Sequence, residues 1–226
     1  TASPAADAEV ISLGNEIFGF LGIDRISLEI NSIGCPTCRK KYQEALKAYF
    51  ESRKDELCDT CCERLERNPM RILDCKSPIC HEIGQDAPII LDYLCDDCHD
   101  HFEKVKMYLE AMNISYTVNP HIVRGLDYYT RTVFEFVTDA LGAQSAVCAG
   151  GRYDGLVEEI GGPHVPALGF ALGLERILLL LEAQKIALPA ADVPEIYIGS
   201  IGDAALTKAA ALALELRQSG IGAQFD

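Results

Sequence analysis

Residues 122–136 read Ile-Val-Arg-Gly-Leu-Asp-Tyr-Tyr-Thr-Arg-Thr-Val-Phe-Glu-Phe. Arg124 precedes a glycine and then two adjacent phenols, Tyr128 and Tyr129, before an alternating run over 132–138. A strand entered through one arginine and two tyrosines can present a fixed cation and two hydroxyl groups to a small polar ligand. The same residues also suit a hairpin edge with a surface arginine and core tyrosines. Two downstream segments decide between these readings. Residues 148–156 read Cys-Ala-Gly-Gly-Arg-Tyr-Asp-Gly-Leu, and residues 167–176 read Ala-Leu-Gly-Phe-Ala-Leu-Gly-Leu-Glu-Arg. Gly150, Gly151, Gly169 and Gly173 would let backbone approach a ligand closely, because side chains there would obstruct it. The paired glycines also read as a plain turn.

A second set of reactive groups lies upstream. Cys35-x2-Cys38, Cys58-x2-Cys61 with Cys62 adjacent, Cys75-x4-Cys80 and Cys95-x2-Cys98 have the spacing of metal knuckles, with His81, His99 and His101 nearby. Thiols and imidazoles at that spacing suit one or two tetrahedral zinc sites. Each Cys-x2-Cys stands where a helix is about to start, and free backbone N–H groups there favour thiolate. Joining Cys35 and Cys38 to Cys95 and Cys98, and Cys58 and Cys61 to Cys75 and Cys80, is one pairing among several. The alternative is that these are small buried residues, since free cysteine packs as a hydrophobe.

The elements that carry these groups follow from periodicity. Residues 7–21 have helical spacing, with Gly22 suited to the helix end. Residues 26–30 alternate as a strand and 37–50 form an amphipathic helix. Residues 55–100 read as shorter helical pieces broken at Pro69, Pro78 and Pro88. Helix is expected over 101–112 and strand over 114–118. A strand over 132–138 then turns through Gly142 toward a second strand ending at Cys148, with Gly150-Gly151 beyond it. Residues 153–160 and 175–183 read as helices, separated by a loop at 161–163. Residues 186–194 carry proline and alanine without periodicity and read as a linker. Strand, alanine-rich helix and strand then follow at 196–200, 204–218 and 222–225, the start of an α/β unit.

Composition sets limits. The chain has 226 residues, close to half of them hydrophobic, and a formal charge of −14. That is enough for one good-sized core plus part of another. No run approaches the roughly 20 apolar residues of a membrane span, and the polar start is not a signal peptide. The negative charge argues against a broad nucleic-acid footprint on this piece, because phosphate binding needs clustered Lys and Arg. Ten cysteines without a secretion signal imply reduced thiols and a cytoplasmic setting.

In order and spacing, the segments at 122–136, 148–156 and 167–176 resemble the histidyl-tRNA synthetase family of class II aminoacyl-tRNA synthetases. The first two resemble its two histidine-recognition signatures. The third resembles class II motif 3, a strand entering a helix that ends the motif on arginine. Asn-Ser-Ile-Gly-Cys at 31–35 and Asn-Pro-Met-Arg-Ile-Leu-Asp at 68–74 also resemble family sequence. The resemblance covers nearly the whole chain. The opening residues resemble the stretch just after motif 2, so the chain reads as an excerpt without motifs 1 and 2. Such a piece is expected to be inactive alone.

The resemblance implies an α+β fold: part of the class II antiparallel sheet with flanking helices over 1–185, a cysteine-rich helical insertion over about 35–112, a linker at 186–194, and the start of an anticodon-binding domain at 195–226. It implies ATP-dependent activation of histidine and transfer to tRNA(His) by a homodimer, with ATP and Mg2+. Activation sends the histidine carboxylate onto the ATP α-phosphate, so the site needs fixed cations more than acid–base groups. By resemblance Arg124 is that cation, serving in catalysis and histidine binding, and Arg176 grips the γ-phosphate with Gly169 and Gly173 beside the nucleotide. Without the motif, Arg176 reads as a helix-surface residue paired with a carboxylate. Tyr128 and Tyr129 line the imidazole pocket, Tyr153 stands near the amino group, and Gly150 and Gly151 join them in histidine binding through close backbone approach. Asp127 receives no role. The resemblance gives no guidance on zinc, which does not define this family. The alternative is the histidine-sensing, synthetase-like regulatory subunit of ATP phosphoribosyltransferase, which has the fold without aminoacylation. Motif 3 with Arg176 and the α/β start after residue 195 weigh against it. A free-standing zinc scaffold ignores residues 122–176.

Overall fold

The computed structural model describes residues 1–122, 128–142, 146–188 and 193–226. The chain divides into two compact units, Thr1–Ile186 and Ala187–Asp226.

The first unit opens with α1 (Pro4–Phe20), whose N-cap Ser3 accepts from the Ala5 N–H through its hydroxyl, with proline in the first turn. The helix therefore begins three residues before the periodicity suggests. β1 (Ser27–Ser32) leads into α2 (Pro36–Glu51), α3 (Asp59–Arg67) and α4 (Pro78–Gln85), joined by short 3-10 turns at Lys54–Glu56, Pro69–Ile72 and Ile90–Tyr93. α5 (Asp96–Ala111) starts five residues earlier than its apolar spacing indicates, because Cys95 and not a residue near His101 is its N-cap. β2 (Thr117–Val118), β3 (Thr130–Val137), β4 (Ala146–Arg152), α6 (Leu156–Glu159), β5 (Leu168–Leu172) and α7 (Leu174–Ala183) complete the unit.

The sheet runs β2-β1-β3-β4-β5. It is mixed rather than purely antiparallel, since β1 and β2 pair parallel while β1/β3, β3/β4 and β4/β5 pair antiparallel. β2 keeps only two residues of the strand expected over 114–118. β4 corrects a larger point. Gly150 and Gly151 lie within the strand and not after it, opposite Phe134 and Val133 on β3 and Phe170 and Gly169 on β5. A Cβ at Gly150 would stand 2.3 Å from the Gly169 carbonyl oxygen and 2.6 Å from Phe170 Cβ; one at Gly151 would stand 2.5 Å from the Thr132 carbonyl oxygen. Neighbouring strands and rings fill the space that a turn would have left open.

Alternation along β3 sends Thr132, Phe134 and Phe136 to one face. There Phe134 and Phe136 pack with Ile11 and Phe18 of α1, Val105 and Leu109 of α5, and Leu180 of α7. Phe18 and Phe136 rings lie 5.1 Å apart. The insertion between β1 and α5 has its own core, built on Tyr42, Leu46, Phe50, Leu65, Ile72 and Ile83.

The second unit is a β-α-β turn: β6 (Ile196–Ile198), α8 (Asp203–Gln218) and β7 (Ala223–Phe225), with β6 and β7 parallel. Ala209 and Ala213 are the buried positions of α8.

Candidate functional site

The sheet face opposite α1 carries the tyrosines. Tyr128, Tyr129 and Tyr153 form a cluster with Ile33, Ile122 and Val133. Ring centroids lie 4.8 Å apart for Tyr128–Tyr129, 5.9 Å for Tyr128–Tyr153 and 6.1 Å for Tyr129–Tyr153. The two signatures therefore meet in space. Arg124 and Asp127 lie outside the described residues.

Local backbone explains how the cluster is held. Asn31 at the end of β1 donates from Nδ2 to the carbonyls of Pro120 and Ile122, fixing the approach to the first signature. Arg131 adopts a left-handed φ of 52°, uncommon for a residue with a Cβ. Its carbonyl accepts from the Ile33 N–H at 2.8 Å and its N–H donates to the Gly34 carbonyl at 2.9 Å. These two bonds lock the start of β3 to the loop after β1. Across the strands, a Cβ at Gly169 would stand 2.8 Å from the Tyr153 hydroxyl oxygen, so this glycine makes room for the phenol.

Arg176 belongs to another region. Its Nη1 donates to the Ala146 carbonyl at the start of β4, and its Cδ lies 3.1 Å from where a Gly173 Cβ would be. Tyr153 follows the last residue of β4. A seven-residue strand spans about 20 Å, so Arg176 and the tyrosines mark opposite ends of it.

The second signature also contains a network that the motifs do not announce. Arg152 is fully buried, and its Nη2 donates to Asp7 Oδ1. Its Nε donates to Asp7 Oδ2 at 3.3 Å, Nη1 to the Thr1 carbonyl and Asp154 Oδ1, both at 2.9 Å, and Nη2 also to the Ser3 carbonyl at 3.2 Å. All five guanidinium donors are thus engaged within the protein. Asp7 Oδ2 also accepts from the Thr132 hydroxyl at 2.7 Å and lies 2.6 Å from His101 Nε2. The Arg131 guanidinium faces His101 Nδ1 at 3.2 Å and can only donate, which places the ring proton on Nε2, toward Asp7. Burial by itself raises the Asp7 carboxyl, but the hydrogen bonds from His101, Arg152 and Thr132 outweigh it and hold the group below its ordinary value. An acid in the first turn of a helix is the only local signal of this network.

The cysteines converge in two quartets. The sulfurs of Cys35, Cys38, Cys95 and Cys98 lie within 4.8 Å of one another, as do those of Cys58, Cys61, Cys75 and Cys80. Either group could hold a metal ion. Of the open pairings, the structure brings these two together. Cys35, Cys58 and Cys95 are the N-caps of α2, α3 and α5. Burial pushes the Cys35 thiol up, but the N–H groups of Cys38 and Thr37 and the neighbouring thiols bring it down to about 6. The Cys61 N–H chiefly lowers Cys58, to about 7. The histidines stand elsewhere: His101 on Asp7, His99 against Glu103, and His81 beside Gln85.

A family profile described as Histidyl-tRNA synthetase matches residues 87–177. The histidine--tRNA ligase of Clostridium novyi (strain NT) is 53% identical over 222 residues, which is 98% of this chain and 52% of that protein. The crystal structure of apo S. aureus histidyl-tRNA synthetase superposes with a TM-score of 0.73 at 39% identity, covering 100% of this chain and 56% of that one. A Bacillus halodurans C structure described as an ATP phosphoribosyltransferase regulatory subunit/histidyl-tRNA synthetase shares the fold, with a TM-score of 0.54 at 22% identity over 100% of this chain and 60% of that one. The chain spans about half the length of the curated relatives it matches.

Proposed function

The chain belongs to the histidyl-tRNA synthetase family, and on that premise we propose that the protein is a class II histidine--tRNA ligase. It joins histidine to ATP, releasing pyrophosphate and forming histidyl-adenylate, then passes the histidyl group to a terminal hydroxyl of tRNA(His) with release of AMP. Support comes from one arrangement above all: the tyrosines of the two signatures gather on one sheet face, 4.8–6.1 Å apart, in a chain 53% identical to a named ligase.

In this reading Tyr128 and Tyr129 satisfy the imidazole nitrogens and Tyr153 stands near the amino group, with the Gly151 backbone beside the Tyr129 ring. An analogue without a ring nitrogen would leave a buried tyrosine hydroxyl unpaired at a cost of about 1–3 kcal/mol, so the site disfavours it. Arg124 neutralises charge growing on the α-phosphate, a task for a guanidinium that stays ionised and binds oxyanions bidentately. Arg176, with Gly173, takes the ATP end of β4, whereas Gly169 pairs with Gly151 beside the Tyr153 hydroxyl at the other end, so the two substrates enter from opposite ends of the strand. ATP comes with Mg2+. Residues 1–185 then belong to the catalytic domain, 186–194 to a linker and 195–226 to the anticodon-binding domain. The working enzyme is a cytoplasmic homodimer; among the described residues no helix is long and apolar enough to cross a membrane. The regulatory-subunit alternative has a structural relative at 22% identity, a likeness of fold alone.

The test is histidine-dependent ATP–pyrophosphate exchange on the full-length protein, with Arg124→Ala beside it. Strong exchange that disappears in the variant is expected. Histidine binding with no exchange would overturn the assignment in favour of a regulatory role.

A further inference from the structure

We propose that Cys35, Cys38, Cys95 and Cys98 form one zinc tetrathiolate and that Cys58, Cys61, Cys75 and Cys80 form a second, both structural. This inference is independent of the synthetase reading, since it concerns only the insertion and its root.

Geometry comes first. A Zn–S bond of about 2.3 Å in a tetrahedron sets neighbouring sulfurs about 3.8 Å apart. Cys35 and Cys38 sulfurs are 3.5 Å apart, Cys58 and Cys75 sulfurs 3.9 Å, and no pair within either quartet exceeds 4.8 Å. All eight are free thiols. An iron–sulfur cluster interposes several atoms between its thiolates and needs a wider set. A site made only of soft sulfur donors suits zinc and excludes magnesium and calcium, which take oxygen.

The surroundings are built for thiolate. The Cys95 N–H donates to the Cys38 sulfur at 3.1 Å, the Cys58 N–H to the Cys80 sulfur at 3.3 Å, and the Ser77 N–H to the Cys75 sulfur at 3.5 Å. Gly34, at φ +65°, turns the chain so tightly that a Cβ would stand 2.5 Å from Cys38 Cβ. One member of each of the four cysteine pairs is buried: Cys38, Cys61, Cys80 and Cys98. Packing as ordinary hydrophobes would not require backbone donors aimed at three different sulfurs. Each site gains one zinc ion and loses four thiol protons, which pass to solvent.

The fold gives the sites work to do. An insertion of roughly 60 residues with short helices rarely holds itself by its core alone and usually needs staples. The second quartet sits inside that core, through Cys61 and Cys80 beside Leu57, Leu65 and Ile83. The first quartet closes the insertion at its root, directly after Gly34, whose carbonyl holds Arg131 at the start of β3.

The experiment is elemental analysis of the full-length protein after exhaustive dialysis against EDTA, with X-ray absorption at the zinc edge. Two zinc ions per chain are expected, each with four sulfur neighbours at about 2.3 Å. Cys35→Ser and Cys58→Ser should each retain one, and Cys62→Ser, outside both quartets, should retain two. No metal, iron in place of zinc, a single zinc per wild-type chain, or a nitrogen neighbour would overturn the assignment. The wild-type measurements decide even where a serine variant fails to fold.

Discussion

Asp7 and Arg152 form a buried ion pair across 145 residues of chain, one in the first turn of α1 and the other at the last position of β4. The pair ties the opening helix to the strand from which Tyr153 emerges. It also engages every donor of an arginine within the second signature, so the Arg152 guanidinium has none left over.

Asp7→Asn leaves the arginine charged and buried with only the part-exposed Asp154 carboxylate beside it. Breaking one side of such a pair costs about 3–5 kcal/mol. Urea unfolding should show that loss as a lower midpoint with an unchanged slope. A loss below about 1 kcal/mol would mean that water or Asp154 replaces the carboxylate.

Acid stability should depend on the same residue. Because the Asp7 carboxyl sits below its ordinary value of 3.8 when folded, its contribution is complete above that pH. It is lost as pH falls through the lower, folded value. Stability measured from pH 5 downward should therefore decline less steeply in Asp7→Asn than in the parent; parallel curves would refute the linkage.

Gly150→Ala tests the close strand packing. With a Gly169 carbonyl oxygen 2.3 Å and a Phe134 ring atom 2.8 Å from the new Cβ, overpacking should cost about 1–3 kcal/mol or more. Gly155→Ala, where nothing lies within 4 Å, should change stability by no more than about 0.5 kcal/mol. Equal effects from the two would remove the steric explanation.

Separate ends of β4 predict separate kinetic defects. In the full-length enzyme, Arg176→Ala should raise KM for ATP about tenfold or more while sparing histidine, and Tyr128→Phe should do the reverse, each for the loss of a hydrogen bond worth about 1.4 kcal/mol. Shifts of both KM values together in both variants would place the residues in one subsite.

Sequence periodicity locates most elements, because apolar spacing reports burial directly. Cys35, Cys58 and Cys95 are legible as helix starts because a knuckle followed by polar residues is a local signal, and they do cap α2, α3 and α5. Gly150-Gly151 misleads for the opposite reason. A glycine pair reads as a turn locally, whereas its need for space comes from β3 and β5, which are distant in sequence. The Asp7, His101, Thr132 and Arg152 network is invisible on the same ground: no period links residues on α1, α5, β3 and β4. Arg131 carries its left-handed backbone because Gly34 and Ile33 bond it from both sides, and its residue type gives no hint of that.

The Cys95 N–H touches the Cys38 sulfur across 57 residues, so the insertion departs from and returns to the sheet unit at nearly one point. A detour with a common doorway is topologically a side branch. Its length and helix content can drift, or a foreign segment can be spliced in, while β1 and α5 keep their places, provided that the doorway stays shut.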